Sequence, residues 1–208
     1  MKNIQSLLKR TIDVVISFFA IIVLTPFWIV IAIAIYFENP GPIFYLQERV
    51  GYKGKPFKLF KFRSMVVNDI PPLELGSIKH NHSLVTRVGY VLRRFKLDET
   101  PQFLNVLIGT MSLIGPRPCL LGRIPSMSQT EQLRFNALPG LSGWAEVNGN
   151  VDLTWQEQVW LDVWYVKHHH LLLDAFIIVK TFIVVLFGSK KNDIALSKAY
   201  EQFSNLDN

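Results

Sequence analysis

The sequence predicts a mainly helical α+β fold. It reads as a monotopic membrane protein with an N-terminal re-entrant helix–break–helix hairpin and interfacial amphipathic helices. Three observations carry that reading. Residues 14–37 are uncharged and mostly apolar, and about 20 such residues suffice to cross a bilayer. Pro26 interrupts the run in its middle. Basic residues flank it on both sides, Lys2, Lys9 and Arg10 before it and Arg49, Lys53, Lys55, Lys58, Lys61 and Arg63 after it. Positive charge marks the cytoplasmic side of a membrane segment, so one straight crossing would strand a basic cluster on the wrong face. Each half of the run rises roughly 16 Å as helix, about half of a hydrocarbon core ~30 Å thick. A helix that enters, bends at Pro26 and returns satisfies both constraints. The chain then divides into a membrane hairpin with its basic flank, residues 1–40, and a cytoplasmic membrane-associated domain, residues 41–208. A kinked single span is the competing reading. A cleaved signal peptide fits less well, because its apolar region runs only about 7–15 residues.

The chemistry of the bend agrees. Pro26 has no N–H for the carbonyl of Ile22, and its ring crowds that turn. A carbonyl freed in lipid is costly unless paired, and the hydroxyl of Thr25 reaches back three or four residues to do so. Thr25 and Pro26 therefore mark the membrane break. Asp13 stands four residues after Lys9 and three after Arg10, a spacing that suits charge pairing along one helix face.

Composition narrows the function classes. The chain has 208 residues, half of them hydrophobic, and a formal charge of +6. Such a balance suits an anionic partner: membrane lipids, nucleic acid or a phosphorylated substrate. No nucleic-acid motif accompanies the basic residues, so nucleic acid is not expected as a partner. The lone Cys119 excludes an intramolecular disulfide and fits a reducing compartment.

Beyond the hairpin, residues 43–46 and 57–62 read as short strands around a turn at residues 51–56. Residues 68–83, with Pro71-Pro72, Gly76 and His80-Asn81-His82, read as a surface loop able to move over a site. Residues 86–95 form a basic helix or its approach. Thr100 is a good N-cap and Pro101 a favoured first helical residue, so a helix runs from there to about Leu107 and ends at Gly109. Gly115–Pro118 and Pro139–Gly143 are rigid turns. Residues 155–167 form an aromatic-rich helix. Residues 171–187 form an apolar one with His170, Asp174 and Thr181 on one side, suited to the core or the membrane interface.

Chemistry concentrates between Arg87 and Arg117. Asp98 and Glu99 are adjacent carboxylates just before a helix start, where free N–H groups and partial positive charge suit carboxylates and phosphates alike. A carboxylate can attack phosphorus, and two neighbouring carboxylates can hold Mg²⁺. Ordinary helix capping accounts for the same pair. Arg87, Arg93, Arg94, Lys96 and Arg117 can offset phosphate charge. Gly115-Pro116-Arg117-Pro118 fixes the backbone around one arginine, either a preorganised anion clamp or a solvated surface turn. Strand alternation puts Lys61 and Arg63 on one face, toward lipid phosphate, substrate phosphate or water.

These residues resemble a known family. The match includes Lys9-Arg10 with Asp13, Thr25-Pro26, Gly41-Pro42, Gln47 with Arg49 and Gly51, and Lys61-Phe62-Arg63-Ser64-Met65. It continues through Leu97-Asp98-Glu99, Pro101-Gln102, Asn105-Val106, Met111-Ser112 and Gly115-Pro116-Arg117-Pro118, then Pro139-Gly140-Leu141-Ser142-Gly143-Trp144-Ala145, Asp162, Tyr165 and Asp174. In order and spacing the chain resembles the small bacterial sugar transferases, the monotopic phosphoglycosyl transferases. The resemblance implies transfer of a sugar-1-phosphate from a UDP-sugar to undecaprenyl phosphate, with release of UMP, as the first step of a bacterial glycan: O-antigen, capsule, exopolysaccharide or glycoprotein. It implies Asp98 as nucleophile through a covalent aspartyl phosphosugar, and Glu99 with Mg²⁺ and in organising the pair. Arg93 would bind phosphate at the membrane face and Arg117 would serve the nucleotide sugar, with Lys61, Arg63 and Arg87 as supporting residues. The implied location is the cytoplasmic face of the bacterial inner membrane, and downstream glycosyltransferases are possible partners.

Three positions depart from the family pattern. Thr110 replaces a usual aspartate, Glu146 a glutamine and Asn150 an arginine, which bears on sugar specificity more than on reaction type. His168-His169-His170 resembles a metal tract, but consecutive helical side chains diverge. The alternative function is a non-catalytic membrane scaffold for glycosyltransferases, which the intact Asp98-Glu99 pair argues against.

Overall fold

The computed structural model describes residues 2–66 and 83–207. The loop expected over residues 68–83 lies, apart from Ser83, outside the described residues. The first element, α1 (Lys2–Glu38), is a single helix with Pro26 inside it. Helix continues on both sides of Thr25-Pro26, where the sequence places the bend of the membrane segment. The hydroxyl of Thr25 does reach back one turn, donating to the carbonyl of Ile21 at 2.7 Å rather than to the carbonyl of Ile22 that Pro26 frees. Among the described residues this is the one helix long and apolar enough to cross a membrane, with mean hydropathy 2.8 in its most apolar 18-residue stretch.

Both ends of α1 are fastened to the rest of the chain. Near its start, Lys9 Nζ meets Asp174 Oδ2 at 2.7 Å and the carbonyl of Ile114 at 3.0 Å. Arg10 donates to the carbonyls of Val106 and Leu107 at 2.6 and 2.9 Å. Asp13, buried, accepts from the backbone N–H of Leu113 at 3.1 Å. The pairing expected between Asp13 and Lys9 or Arg10 thus gives way to partners about a hundred residues distant. At the far end the carboxylate of Glu38 accepts from the N–H groups of Arg87 and Val88 at 2.6 and 2.8 Å. Those are free donors at the start of α2 (Arg87–Arg94), where a carboxylate is favoured by the helix dipole. The Thr86 hydroxyl caps the same helix by accepting from Gly89 N–H at 2.9 Å. Gly89 must be glycine, because a Cβ there would lie 1.9 Å from the carbonyl oxygen of Ser64.

The expected hairpin forms: β1 (Phe44–Val50) pairs antiparallel with β2 (Pro56–Phe62), Tyr45 facing Lys61 and Arg49 facing Phe57. Alternation puts Tyr45, Gln47, Arg49, Phe57, Leu59 and Lys61 on one face. After α2, Lys96 turns the chain with left-handed φ 58° into a 3-10 turn, Leu97–Glu99. Then comes α3 (Gln102–Ile108), ended by Gly109 at φ 92°. Its last carbonyls are those that Arg10 caps. Thr100 does not cap α3 with its side chain as expected. Its hydroxyl donates to the Leu97 carbonyl at 2.8 Å and accepts from Trp28 Nε1 of α1 at 3.0 Å.

A two-stranded parallel sheet, β3 (Ser112–Ile114) with β4 (Gly140–Ser142), replaces the simple turn expected at Pro139–Gly143. The short α4 (Gln129–Gln132) lies between these strands, and α5 (Trp144–Val147) follows them. The helices α6 (Trp155–His168) and α7 (Leu171–Phe187) match the aromatic and apolar segments read from sequence. A closing helix, α8 (Asp193–Asp207), packs on α6 and was not expected. The main core joins Leu59 of β2, Val106 of α3, Met111, Leu113, Val147, Tyr165 and Ile177. A second cluster binds Ile35 and Trp28 of α1 to Phe62, Leu92 and Leu97. The membrane helix is thereby part of the packing beneath the 3-10 turn.

Candidate active site

The 3-10 turn carries Asp98 and Glu99, and Glu99 faces a small cleft. The cleft is lined by Arg49, Leu59, Lys61, Glu99, Gln102 and Arg117, with Pro118 and Gly140 at its edge. Glu99 Oε1 accepts from Lys61 Nζ at 2.8 Å and from Arg117 Nη2 at 3.1 Å. Burial alone would raise the Glu99 carboxyl, but Lys61 and Arg117 outweigh it and hold the group well below its ordinary value. Glu99 is thus ionised across the physiological range. Arg117 in turn is raised, chiefly by Glu99.

Asp98 has a different environment. It is 9% exposed and makes no hydrogen bond or ion pair among the described residues. Burial, followed by the neighbouring charge of Glu99, raises its carboxyl above the ordinary value, while Lys61, Arg93 and Lys96 pull it down. Two adjacent carboxylates are therefore driven apart by their surroundings, a pattern that divides roles between paired acids. Asp98 is the uncommitted oxygen donor; Glu99 is tied into a cation framework.

That framework is held by buried polar contacts. Asn105 of α3 is fully buried. Its Oδ1 accepts from Phe60 N–H at 2.9 Å, and its Nδ2 donates to the Lys58 carbonyl at 2.8 Å and to Thr110 Oγ1 at 3.1 Å. The amide acts as a one-residue third strand along β2, fixing Lys61 against the turn that carries Glu99. On the other side Arg134 donates to the Arg117 carbonyl at 2.9 Å and to Asp162 Oδ2 at 2.5 Å. The Pro-Arg-Pro turn therefore rests on a fully buried ion pair. Cys119, next to this turn, is buried.

The residues singled out in sequence separate into two groups. Asp98, Glu99, Lys61 and Arg117 converge, and Arg93 lies near enough to act electrostatically on Asp98. Arg63 and Arg87 do not join them. Arg63 follows the end of β2, is buried, and donates to the carbonyl of Asn39 at the exit of α1. Strand alternation ends before it, so it does not share the face of Lys61. Arg87 is exposed, and its recorded bond is through its backbone N–H to Glu38. Sequence reasoning gave no site role to Arg49 or Asn105; the signal was their own place among the residues matched to the family pattern.

The departures from the family pattern have local accounts. Thr110 accepts from Asn105 and donates to the Asn105 carbonyl at 3.2 Å, so it serves the same support. Burial raises the carboxyl of Glu146, with Arg117 as the main opposing charge. Asn150 adopts φ 49°, a left-handed conformation that asparagine tolerates better than most side chains. The histidine tract makes three separate backbone contacts, to Trp164, Val166 and Leu173. No cluster of three or more metal-ligating side chains occurs among the described residues. Asp98 and Glu99 nonetheless suit Mg²⁺, which takes one or two carboxylates and completes its shell with water and phosphate. Both ion pairs of Glu99 fall on Oε1, leaving Oε2 for a cation.

Comparison with known proteins identifies the family. The model of the family described as bacterial sugar transferase matches residues 4–188. The chain is 36% identical over 181 residues to an uncharacterized sugar transferase, EpsL, of Bacillus subtilis, covering 86% of this chain and 88% of that protein. It is 33% identical over 195 residues to the exopolysaccharide production protein ExoY of Sinorhizobium fredii, covering 86% of each. It is also 40% identical over 152 residues to a UDP-glucose:undecaprenyl-phosphate glucose-1-phosphate transferase of Escherichia coli, covering 72% of this chain but 32% of that longer protein. With the family match spanning nearly the whole chain and every element of the cleft, the protein belongs to the bacterial sugar transferase family.

Proposed function

We propose that the protein is a phosphoglycosyl transferase that moves a sugar-1-phosphate from a UDP-sugar to undecaprenyl phosphate and so initiates a bacterial glycan. The observation that carries the proposal is the buried Asp98 carboxylate, without a hydrogen-bond or ion-pair partner among the described residues, beside a Glu99 held ionised by Lys61 and Arg117. The names of relatives that act on UDP-sugars and undecaprenyl phosphate support it. In the first step an Asp98 oxygen bonds to the sugar-bearing phosphorus. The phosphoanhydride P–O bond breaks, and its electron pair leaves on UMP. In the second step an oxygen of the lipid phosphate attacks the same phosphorus and returns the electron pair to the Asp98 carboxylate. Splitting the transfer lets one site serve a soluble donor and a membrane-held acceptor in turn. Lys61, Arg117 and Arg93 offset charge on the transferring and leaving phosphates. Mg²⁺ held by Asp98 and Glu99 would add charge neutralisation on the diphosphate.

The same reading places the site at the cytoplasmic face of the inner membrane, with α1 as a re-entrant anchor and α7 at the lipid interface. A crossing helix would carry its start to the far side, yet Lys9 pairs with Asp174 of the domain that Glu38 also caps. Trp28 bonds directly to Thr100, next to Glu99. Leu172, Val179, Phe182, Leu186 and Phe187 of α7 are exposed and apolar, as an interfacial helix requires. Downstream glycosyltransferases would then take the lipid-linked product.

Mass spectrometry tests the chemistry. Incubation with UDP-glucose, UDP-galactose or UDP-N-acetylgalactosamine and Mg²⁺, without acceptor, should add one phosphosugar mass, and Asp98→Asn should abolish both adduct and turnover. An active Asp98→Asn protein overturns the nucleophile assignment. Cysteine labelling at Asn3 and Lys55 should show both on the cytoplasmic side; opposite accessibility rejects the re-entrant anchor.

A further inference from the structure

We infer that Arg49 is a donor-binding residue, which holds the phosphate of the leaving nucleotide in the cleft opposite Arg117. The inference rests on the proposed function and deepens it, by separating the station of the leaving phosphate from that of the lipid phosphate near Arg93.

Three features of Arg49 support this assignment. First, its position: on the hairpin face shared with Gln47 and Lys61, Arg49 lines the cleft together with Lys61, Glu99 and Arg117. Second, its orientation is fixed. Nη2 donates to Gln47 Oε1 at 2.8 Å and Nη1 to the Pro118 carbonyl at 3.2 Å. Gln47 is itself buried. Of the five donors of a guanidinium these use two, and the buried Nε has no partner. The side chain is thus preorganised with donors to spare. Third, its charge is unanswered. Lys61 and Arg117 both pair with Glu99, whereas Arg49 forms no ion pair among the described residues. Among the residues lining the cleft the cations Lys61, Arg117 and Arg49 outnumber the carboxylate of Glu99, with Asp98 and Glu146 acting on Arg117 from beside it.

A cleft lined by more cations than carboxylates suits an anionic ligand. A phosphate monoester such as UMP carries about −1.5 to −2 at pH 7. Burial, followed by the nearby Arg117, lowers the Arg49 guanidinium to about 10, the direction expected of a cation that lacks its counter-ion. It remains protonated at neutral pH. When the phosphoanhydride bond breaks, negative charge grows on the leaving phosphate oxygen, and a fixed guanidinium fork stabilises that change without reorganising.

The test uses the full chain in nanodiscs, with UMP as the probe and calorimetry as the readout, so that binding is measured without turnover. Wild type should bind UMP, and Arg49→Met should weaken it about ten- to hundred-fold, the range for a hydrogen bond to a charged group. Arg49→Lys, which keeps the charge but loses the fork, should fall between; it decides the matter if Arg49→Met does not fold, as a thermal scan reports. In turnover, KM for the UDP-sugar should rise in parallel, while KM for undecaprenyl phosphate stays within two-fold. Absence of UMP binding to wild type, or unchanged UMP affinity in a folded variant, overturns the assignment. So does a loss confined to the lipid phosphate. If wild type binds UMP through Arg49 yet transfers no sugar phosphate from any donor, the assignment stands and the proposed function falls.

Discussion

Replacing Asn105 with alanine should damage stability and catalysis together, because one amide side chain carries both. Its three side-chain hydrogen bonds reach Phe60 N–H, the Lys58 carbonyl and the Thr110 hydroxyl. Each such bond contributes roughly 1 kcal/mol net, and a buried backbone group left unpaired costs about 1–3 kcal/mol. The Phe60 and Lys58 groups retain some access to water, which lowers the penalty, and Thr110 keeps its bond to the Asn105 backbone. The sum is about 3 kcal/mol. For a chain of this length that corresponds to a fall in apparent Tm of roughly 6–12 °C, read at a fixed scan rate because membrane proteins often unfold irreversibly. Displacement of β2 moves Lys61 relative to Glu99, and an error near 1 Å at a reacting centre costs about a hundred-fold in rate. Thr110→Ala, which leaves both backbone bonds of the amide in place, should lose no more than about 1 kcal/mol. An Asn105→Ala protein melting within 2 °C of wild type, estimated against that ~3 kcal/mol loss, would refute the surrogate-strand account.

Two further outcomes follow from the charges. Asp98 must be ionised to attack, and its carboxyl is raised by burial and by Glu99; single-turnover rates should therefore fall as pH drops through a value above the ordinary carboxylate range. The linked contribution to stability has the opposite sign: it is fully present below the unfolded value and is lost as pH rises through the raised folded one. A pH–rate profile flat down to pH ~4 would exclude Asp98 as a raised nucleophile, since the unperturbed value is about 3.9. Arg134 and Asp162 have side chains 2% and 1% exposed, and removing one partner of a buried pair costs about 3–5 kcal/mol. Asp162→Asn should thus lower the apparent Tm strongly, and Arg134→Met with Asp162→Leu should recover much of the loss in the same thermal scan. A single variant as stable as wild type would show that the pair is not needed under the Arg117 turn.

Local signals in the sequence led to much of this architecture. Apolar alternation around Gly51 and Gly54 found the hairpin, and the bounds of α6 and α7 followed from composition and periodicity. The Asp98-Glu99 pair, Lys61 and Arg117, candidates read from the sequence, come together in the structure. What escaped reading was non-local. The parallel pairing of Ser112 with Gly140 joins segments separated by two turns and a short helix. Lys9 finds its counter-charge 165 residues away at Asp174, beyond any helical-spacing argument. Arg63 was assigned to the Lys61 face, but β2 ends at Phe62 and its side chain turns to the Asn39 carbonyl. Pro26 reads as a bend in the membrane segment, and helix continues on both sides of it.

The fastening of α1 at both ends has a mechanical corollary. Lys9, Arg10 and Asp13 hold one end, Trp28, Ile35 and Glu38 the other, and the span between them is free of such ties except at buried Ser17. The catalytic head therefore cannot slide or swivel on its anchor. Any change in bilayer thickness or lateral pressure that tilts the helix acts on Thr100 through Trp28, and so on the turn that carries Asp98, the proposed nucleophile. Turnover in short-chain and long-chain lipids should register that leverage directly.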